Sequence, residues 1–304
     1  MELDIIRWVQ ILDGPFWRAF FEFFTFLGSE YFLIFAVAFI YLVWDKRFGE
    51  QIAFVTMLSV TLNGVLKDWF QFHRPIGQPG IKSPAAGSVL SDYSTGGYLY
   101  SYSFPSGHSQ LSATFFTYFA LVLKKKWLSI AAGAAILLVG VSRLFLGVHY
   151  PKDVLFGYAL GVLLSAGMYH ISKKVKNITW LYLICFFAIA PFAIFVVHSA
   201  DTMKALGGFA GFILGNFLEK RYLGFSTDVG VRAKIFRILI AMLGAIAVSV
   251  FFELCLPHSL LFQFLQYFMV VLTTVFFCPI LSERLGKKYA YHKNKRRKVP
   301  CGAC

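Results

Sequence analysis

Charged residues are what this chain most obviously lacks. They make up 14% of 304 residues, and only 15 are acidic, whereas a soluble domain carries about 25% charged residues. An ordinary water-soluble domain is thereby excluded. Cysteine is also sparse. Cys185, Cys255 and Cys278 lie inside or at the ends of apolar runs, where a thiol behaves as a small hydrophobe. Cys301 and Cys304 form a terminal CGAC, and one CxxC without a second is a weak metal or redox signal. There is no internal repeat and no long low-complexity segment. The opening MELDIIRWVQILDGPFWRAFFEFFTFLG has neither a basic n-region nor a small-residue cleavage site, so it does not read as a signal peptide.

Apolar sequence fills the space that charge leaves. The chain is 58% hydrophobic and 18% aromatic, with a mean hydropathy of +0.66, and its apolar runs have the roughly 17–25 residues that cross a bilayer as helix. The expected fold is all-α, a polytopic transmembrane bundle of about nine spans near 30–44, 50–70, 106–123, 127–146, 154–172, 178–198, 205–219, 238–255 and 260–282. Asp4, Arg7, Asp13, Arg18 and Glu22 interrupt the aromatic face of the N-terminal segment, which suits a helix lying in the interface; a tenth span there would only move the N-terminus across the membrane. The net charge of +14 does not imply a nucleic-acid partner, because the basic residues are not gathered on one face of a soluble domain. They alternate by side instead. DKRFG, KKK from Lys124, KKVK from Lys173, EKRYLGFSTDVGVRAKIFR and ERLGKKYAYHKNKRRK hold 21 of the 29 Lys and Arg, as expected for cytoplasmic gaps.

Apart from Arg7 and Arg18 near the N-terminus, six basic residues remain for the other side: Lys67, Arg74, Lys82, Arg143, Lys152 and Lys204. Four of these fall in polar clusters, KDWFQFHRP and SRLFLGVHYPKD, which a third, PSGH, accompanies. Lys67 and Arg74 are two helical turns apart, so they can share roughly one face of a helix end that Pro75 stops. Lys is a point charge and Arg a planar fork for phosphate oxygens. Pro105 fits the first helical position, which would leave the N–H groups of Ser106, Gly107 and His108 to face an anion. His149 and Asp153 are four apart, so the carboxylate can hold one imidazole nitrogen and leave the other for chemistry, as in a triad; Pro151 makes a regular helix between them doubtful. Singly, each residue has an ordinary reading as a snorkelling lysine, a loop charge or a satisfied histidine. His73, His170, His198, His258 and His292 keep it, and Asp68, Asp92 and Lys152 are read as solvated loop charges. Two Arg, one Lys, two His and one Asp at the same leaflet describe a phosphate site with acid–base groups. No acidic cluster with metal-ligand spacing accompanies them.

At these residues the sequence resembles the type 2 phosphatidic acid phosphatase superfamily. Its motifs, Lys, six residues, Arg-Pro; Pro-Ser-Gly-His; and Ser-Arg, five residues, His, three residues, Asp, all match in order from Lys67 to Asp153. The resemblance covers roughly residues 20–172 and implies a six-helix core and metal-independent hydrolysis, without cofactor, through a phosphohistidine. It makes His149 the nucleophile, Asp153 its orienting carboxylate and His108 the acid to the leaving alcohol and later the base to water. Lys67, Arg74, Ser106, Gly107 and Arg143 would hold the phosphate. HSADTMKALGGFAG, from His198, is vaguely similar to the region of sphingosine-1-phosphate phosphatases that carries extra helices, although small residues are expected in membrane helices for packing alone.

The expected organisation is a phosphatase core over 1–172 with motifs at 67–75, 105–108 and 142–153, additional transmembrane helices over 173–282, and a basic cytoplasmic tail over 283–304. The loop from Pro75 to Phe104 suits a lid or a plain external loop. The expected function is hydrolysis of a lipid phosphate (phosphatidate, a polyprenyl diphosphate or a long-chain-base phosphate) on the extracytoplasmic face of a bacterial cell membrane, or in the endoplasmic reticulum. The alternatives are a sugar-phosphate phosphatase of the glucose-6-phosphatase type and a non-catalytic lipid transporter, which would need the basic residues but neither histidine; a phosphotransferase would share every residue.

Overall fold

The computed structural model describes residues 1–82, 102–196, 199–257 and 259–284. Asp92, His198, His258, His292, the CGAC terminus and most of the proposed lid lie outside the described residues. Among the described residues there are helices and no strands: α1 (Glu2–Val9), α2 (Pro15–Leu27), α3 (Glu30–Phe39, continued by a π-helical turn Ile40–Trp44), α4 (Lys46–Phe70), α5 (Gly107–Leu123), α6 (Lys126–Phe145), α7 (Pro151–Lys174), α8 (Ile178–Val196), α9 (Ala200–Tyr222), α10 (Val231–Cys255) and α11 (Leu260–Leu272) with its π-helical continuation Thr273–Phe277. Each of the nine expected runs falls on one of these helices. By length and composition, α6, α7, α8, α10 and the run Leu260–Arg284 can each cross a membrane, and α2 with α3, bent by 48°, can make a sixth crossing. The protein is an integral membrane protein. Helices α4 and α9 are as long but bury polar side chains, among them Asn63, Asp68, Asn216 and Glu219.

Side-chain caps set the helix starts. Asp45 Oδ1 accepts from the Phe48 N–H at 2.8 Å, and Ser29, Ser106, Ser199 and Ser259 cap α3, α5, α9 and α11, each satisfying an N–H that the first turn cannot. At the other end of α4, Gln71 turns left-handed at φ 52°. The helix therefore stops at Phe70, before the expected brake at Pro75.

Lipid tails are as apolar as Leu, so membrane helices associate through close packing and polar contacts instead of water exclusion. Helices α4, α5 and α7 use both. Ser59, Asn63 and Lys67 recur every fourth residue along α4. Gln110 of α5 receives a hydrogen bond from Asn63 at 2.8 Å and donates to the Ser59 carbonyl at 2.9 Å. Ser59 meets Thr114 at 2.8 Å, and Ser165 of α7 donates to the Thr114 carbonyl at 2.6 Å. A Cβ on Gly161 of α7 would stand 2.4 Å from the Gln110 carbonyl oxygen, so α7 touches the α5 backbone directly.

Helix α9 runs antiparallel to α4 and grips it at both ends. At one end Ser199 donates to Asp68 through its N–H and hydroxyl, at 3.2 and 3.0 Å. At the other, Lys46 reaches Glu219 at 2.7 Å, while Lys220 and Asn216 reach Glu50 at 2.5 and 3.1 Å. Buried carboxylates in a membrane protein need such partners. On its other side α9 meets α11, where a Cβ on Gly207 or Gly211 would collide with the Phe264 or Phe268 carbonyl oxygen. The small residues here do serve close packing.

The N-terminal segment is two helices with a turn between them, in place of one interfacial helix. Helix α2 packs on α6 through Thr25 and Ser142, 2.6 Å apart, and through the Phe21 and Phe145 rings, tilted by 31° with centroids 4.5 Å apart. Gln10, 4% exposed, donates to the Phe145 and Lys82 carbonyls and accepts from the Lys82 N–H.

Candidate active site

Two helix C-termini and two helix N-termini supply the site. Lys67 lies in the last turn of α4 and Arg143 in the last turn of α6, where the dipole favours a cation. PSGH opens α5, and His149 and Asp153 flank the start of α7.

The second motif is arranged one step differently from its expected form. Helix α5 begins at Gly107 with Ser106 as its cap, so Pro105 stands outside the helix and not at its first position. The Ser106 N–H is also committed, to the Asp153 carbonyl at 3.1 Å, and its hydroxyl lies 2.9 Å from that of Ser109. Ser106 therefore ties the second motif to the third as well as capping α5. A Cβ on Gly107 would lie 3.9 Å from Lys67 Nζ and 3.2 Å from Asn63 Oδ1, which puts the glycine beside the Lys67 ammonium. His108 follows it, 9% exposed.

The third motif forms by a turn and a cap. After α6 the Val148 N–H bonds back to the Arg143 carbonyl, and Gly147 takes φ +65°. Pro151 starts α7, so His149 stands outside the helix. The pair meets nonetheless: His149 Nδ1 is 3.5 Å from Asp153 Oδ2, and both side chains are buried. The same Oδ2 accepts from the Tyr150 N–H at 2.9 Å.

Arg74 lies beyond α4 rather than on its face, in the segment that follows Gln71, and is 7% exposed. That segment is pinned by the Ser103 N–H, which bonds the Phe72 carbonyl at 2.7 Å. Arg143 is fully buried. Asp68, expected to be solvated, is 2% exposed because Ser199, 131 residues away, binds it. Lys152 is half-exposed and pairs with Glu2 at 3.2 Å. Lys152 aside, the three motifs carry three cationic side chains, Lys67, Arg74 and Arg143, against two carboxylates, Asp68 and Asp153, each already holding other donors. That balance of charge favours an anion. Among the described residues no group of three or more His, Cys, Asp or Glu is arranged to hold a metal ion.

Two features escaped the sequence reading. Ser103 donates to Asp153 Oδ2 at 2.5 Å and lies 3.4 Å from His149 Nδ1; its only signal was a small polar residue in an aromatic stretch two positions before Pro105. Phe70, Phe72, Phe104 and Phe156 form an aromatic rim, with ring centroids 4.7–5.7 Å apart. Phe70, Phe72 and Phe156 are each about two-fifths exposed. Their signal was position, since all four lie within a few residues of Lys67, Arg74, Pro105 or Asp153.

Residues 49–177 match the model of the PAP2 superfamily, and residues 203–290 match that of the PAP2 superfamily phosphatase transmembrane extension. Together they take in more than two thirds of the chain. It belongs to the PAP2 superfamily. Phosphatidylglycerophosphatase B of Bacillus subtilis is 34% identical over 143 residues, 44% of this chain and 61% of that protein. Lipid A 1-phosphatase of Rhizobium johnstonii is 41% identical over 63 residues, 21% of this chain and 25% of that one. The chain thus spans about three fifths of the first relative's length and a quarter of the second's. The crystal structure of a transmembrane PAP2 type phosphatidylglycerolphosphate phosphatase from Bacillus subtilis, at 29% identity, covers 57% of this chain and 85% of its own, with a TM-score of 0.45. Membership of the PAP2 superfamily agrees with all three motifs from Lys67 to Asp153.

Proposed function

We propose that this PAP2 protein is a lipid phosphate phosphatase working through a phosphohistidine on His149. The observation that carries the reading is the buried His149–Asp153 contact, 3.5 Å long, which the Ser106 N–H ties to the start of α5, where Lys67 stands beside Gly107. With Asp153 on the Nδ1 side, the His149 Nε2 lone pair attacks phosphorus. The bond to the ester oxygen breaks, and His108 gives that oxygen a proton. His108 then takes a proton from water, which attacks the phosphohistidine, releasing inorganic phosphate and restoring His149. Lys67, Arg74, Arg143 and the Gly107 N–H balance charge on the transferring phosphoryl oxygens, and the chemistry as written needs no metal. Ser106 supports this cradle through its cap and its link to Asp153.

The aromatic rim favours a lipid over a soluble sugar phosphate, because exposed aromatic rings beside a membrane-embedded site suit acyl chains and the interface. The relatives' names, phosphatidylglycerophosphatase and lipid A 1-phosphatase, point to the same substrate class. We place the site on the extracytoplasmic face of a bacterial membrane, since Lys46, Lys124–Lys126 and Lys173–Lys174 lie at the opposite helix ends. The core over 1–172, the added helices over 173–282 and the cytoplasmic tail over 283–304 complete the proposed organisation.

The test is phosphate release by purified full-length protein in detergent with EDTA, from phosphatidate, phosphatidylglycerophosphate, a polyprenyl diphosphate, sphingosine phosphate and glucose 6-phosphate. Release from a lipid that survives EDTA and disappears in His149→Ala is the expected result. Equal release by parent and variant, or release from glucose 6-phosphate alone, would overturn the proposal.

A further inference from the structure

Ser103 lies outside the three motifs and is fully buried, yet it bonds the first and third motif segments and lies just before the second. Its N–H bonds the Phe72 carbonyl two residues before Arg74. It stands two residues before Pro105. Its hydroxyl reaches Asp153 Oδ2 at 2.5 Å and His149 Nδ1 at 3.4 Å. An ionised carboxylate only accepts, so the hydroxyl proton belongs to the Ser103–Asp153 bond. The serine oxygen is then left as an acceptor toward Nδ1, beside Oδ2 itself.

We propose that Ser103 is a positioning residue for the reaction, fixing both the rotation of Asp153 and the tautomer of His149. The idea rests on the phosphohistidine reading above. Oδ2 collects the Ser103 hydroxyl, the Tyr150 N–H at 2.9 Å and His149 Nδ1 at 3.5 Å, whereas Asp153 Oδ1 has no hydrogen-bond partner among the described residues. The carboxylate is therefore held through one oxygen. Without Ser103 that grip falls to the Tyr150 N–H and the long 3.5 Å contact with the imidazole itself, and the carboxylate can turn away from His149. Nδ1 faces two acceptors, Oδ2 and the serine oxygen, so the proton sits on Nδ1 and Nε2 keeps the lone pair for phosphorus. A carboxylate alone can orient a histidine; here the serine links that orientation to the segment carrying Arg74, so nucleophile and phosphate clamp are set together.

The test compares full-length parent, Ser103→Ala, Ser103→Thr and His149→Ala in detergent, with short-chain phosphatidate as the probe. Two quantities are read: kcat with KM, and the 15N shifts of His149, assigned by the signal lost in His149→Ala. Ser103→Ala should lower kcat by about 10- to 100-fold, the scale of a misplaced reacting group, with KM within twofold and a mixture of imidazole tautomers. Ser103→Thr should restore the single Nδ1–H form and most of the rate. A Ser103→Ala protein with the parent's single tautomer overturns the proposal whatever its activity, as does an equal loss in Ala and Thr variants with no tautomer change, which would mark a merely structural serine. If no protein releases phosphate but the alanine variant still mixes its tautomers, the positioning role stands and the phosphatase reading falls.

Discussion

Adding one methyl group to Gly161 should separate the second and third motifs. A Cβ there would lie 2.4 Å from the Gln110 carbonyl oxygen, 2.7 Å from Ala113 Cβ and 2.9 Å from the Thr114 nitrogen. None of these is the end of a flexible side chain that could swing aside. Restoring ordinary contact at about 3.4 Å requires α7 to retreat from α5 by about 1 Å, and a displacement of that size can cost on the order of 100-fold in rate. The retreat strains the Ser106 N–H to Asp153 carbonyl bond, now 3.1 Å, and overpacking of this kind costs about 1–3 kcal/mol. Gly167 lies on the same helix with nothing within 4 Å of its Cβ position, so alanine there should be neutral or stabilising by up to about 1 kcal/mol. Both variants would be unfolded thermally in detergent, with exposure of buried Cys278 followed by a thiol-reactive dye, and assayed for kcat. Gly161→Ala should melt below the parent and lose activity; Gly167→Ala should do neither. Parent-like melting and rate in Gly161→Ala would refute the close-packing argument.

His108→Gln should lower kcat by about 10²–10⁴-fold, the usual worth of a general acid, and least for a substrate whose leaving group needs no proton; a loss independent of leaving group would argue against that role. Arg143→Lys keeps the charge but loses the planar fork, so KM for the phosphate ester should rise, and an unchanged KM would remove Arg143 from the phosphate clamp. Asp68→Ala frees the Ser199 N–H and hydroxyl, a change worth about 1–3 kcal/mol; thermal stability should fall and KM rise through Lys67, and a parent-like KM would uncouple Asp68 from the site. The Asp13 carboxyl is held down to about 2, first by the hydrogen bond from Arg18 and then by that from Lys82. Its contribution is therefore complete above about pH 4, the ordinary carboxylate range, and fades as the pH falls toward 2. Amide exchange at Ile81 and Lys82 should accelerate in that window, and exchange that accelerates equally in Asp13→Asn would assign the change elsewhere.

Much of the site was legible because its residues sit at fixed spacings at the ends of apolar runs. Lys67, His108, Arg143, His149 and Asp153 all fall where α4 to α7 begin or end. What the spacing could not carry was which backbone group each residue would occupy. Pro105 read as a helix start, but Ser106 takes the cap and lends its N–H to Asp153. His149 and Asp153 read as one helical turn, but a cap on α7 joins them. Asp68 read as solvated because its partner arrives 131 residues later. Similarly, Lys46 and Lys220 stood out only as basic residues of gaps between apolar runs, while their pairing with Glu219 and Glu50 required the antiparallel contact of α4 with α9. Charge counting gives an expected alternation along the chain, not the neighbours across it.

The double grip of α9 on α4 bears on how this architecture can be cut and recombined. The two segments matched by separate family models meet along a helix that carries Lys67, and Glu50, Gly64 and Asp68 of that helix each face a partner on α9. Deleting the later helices would turn two carboxylates toward lipid, where an uncompensated charge is costly. A chimera that transplants the extension onto a smaller relative would need the matching stripe of α4 to travel with it, so the natural crossover point for engineering lies before Lys46 rather than after the third motif.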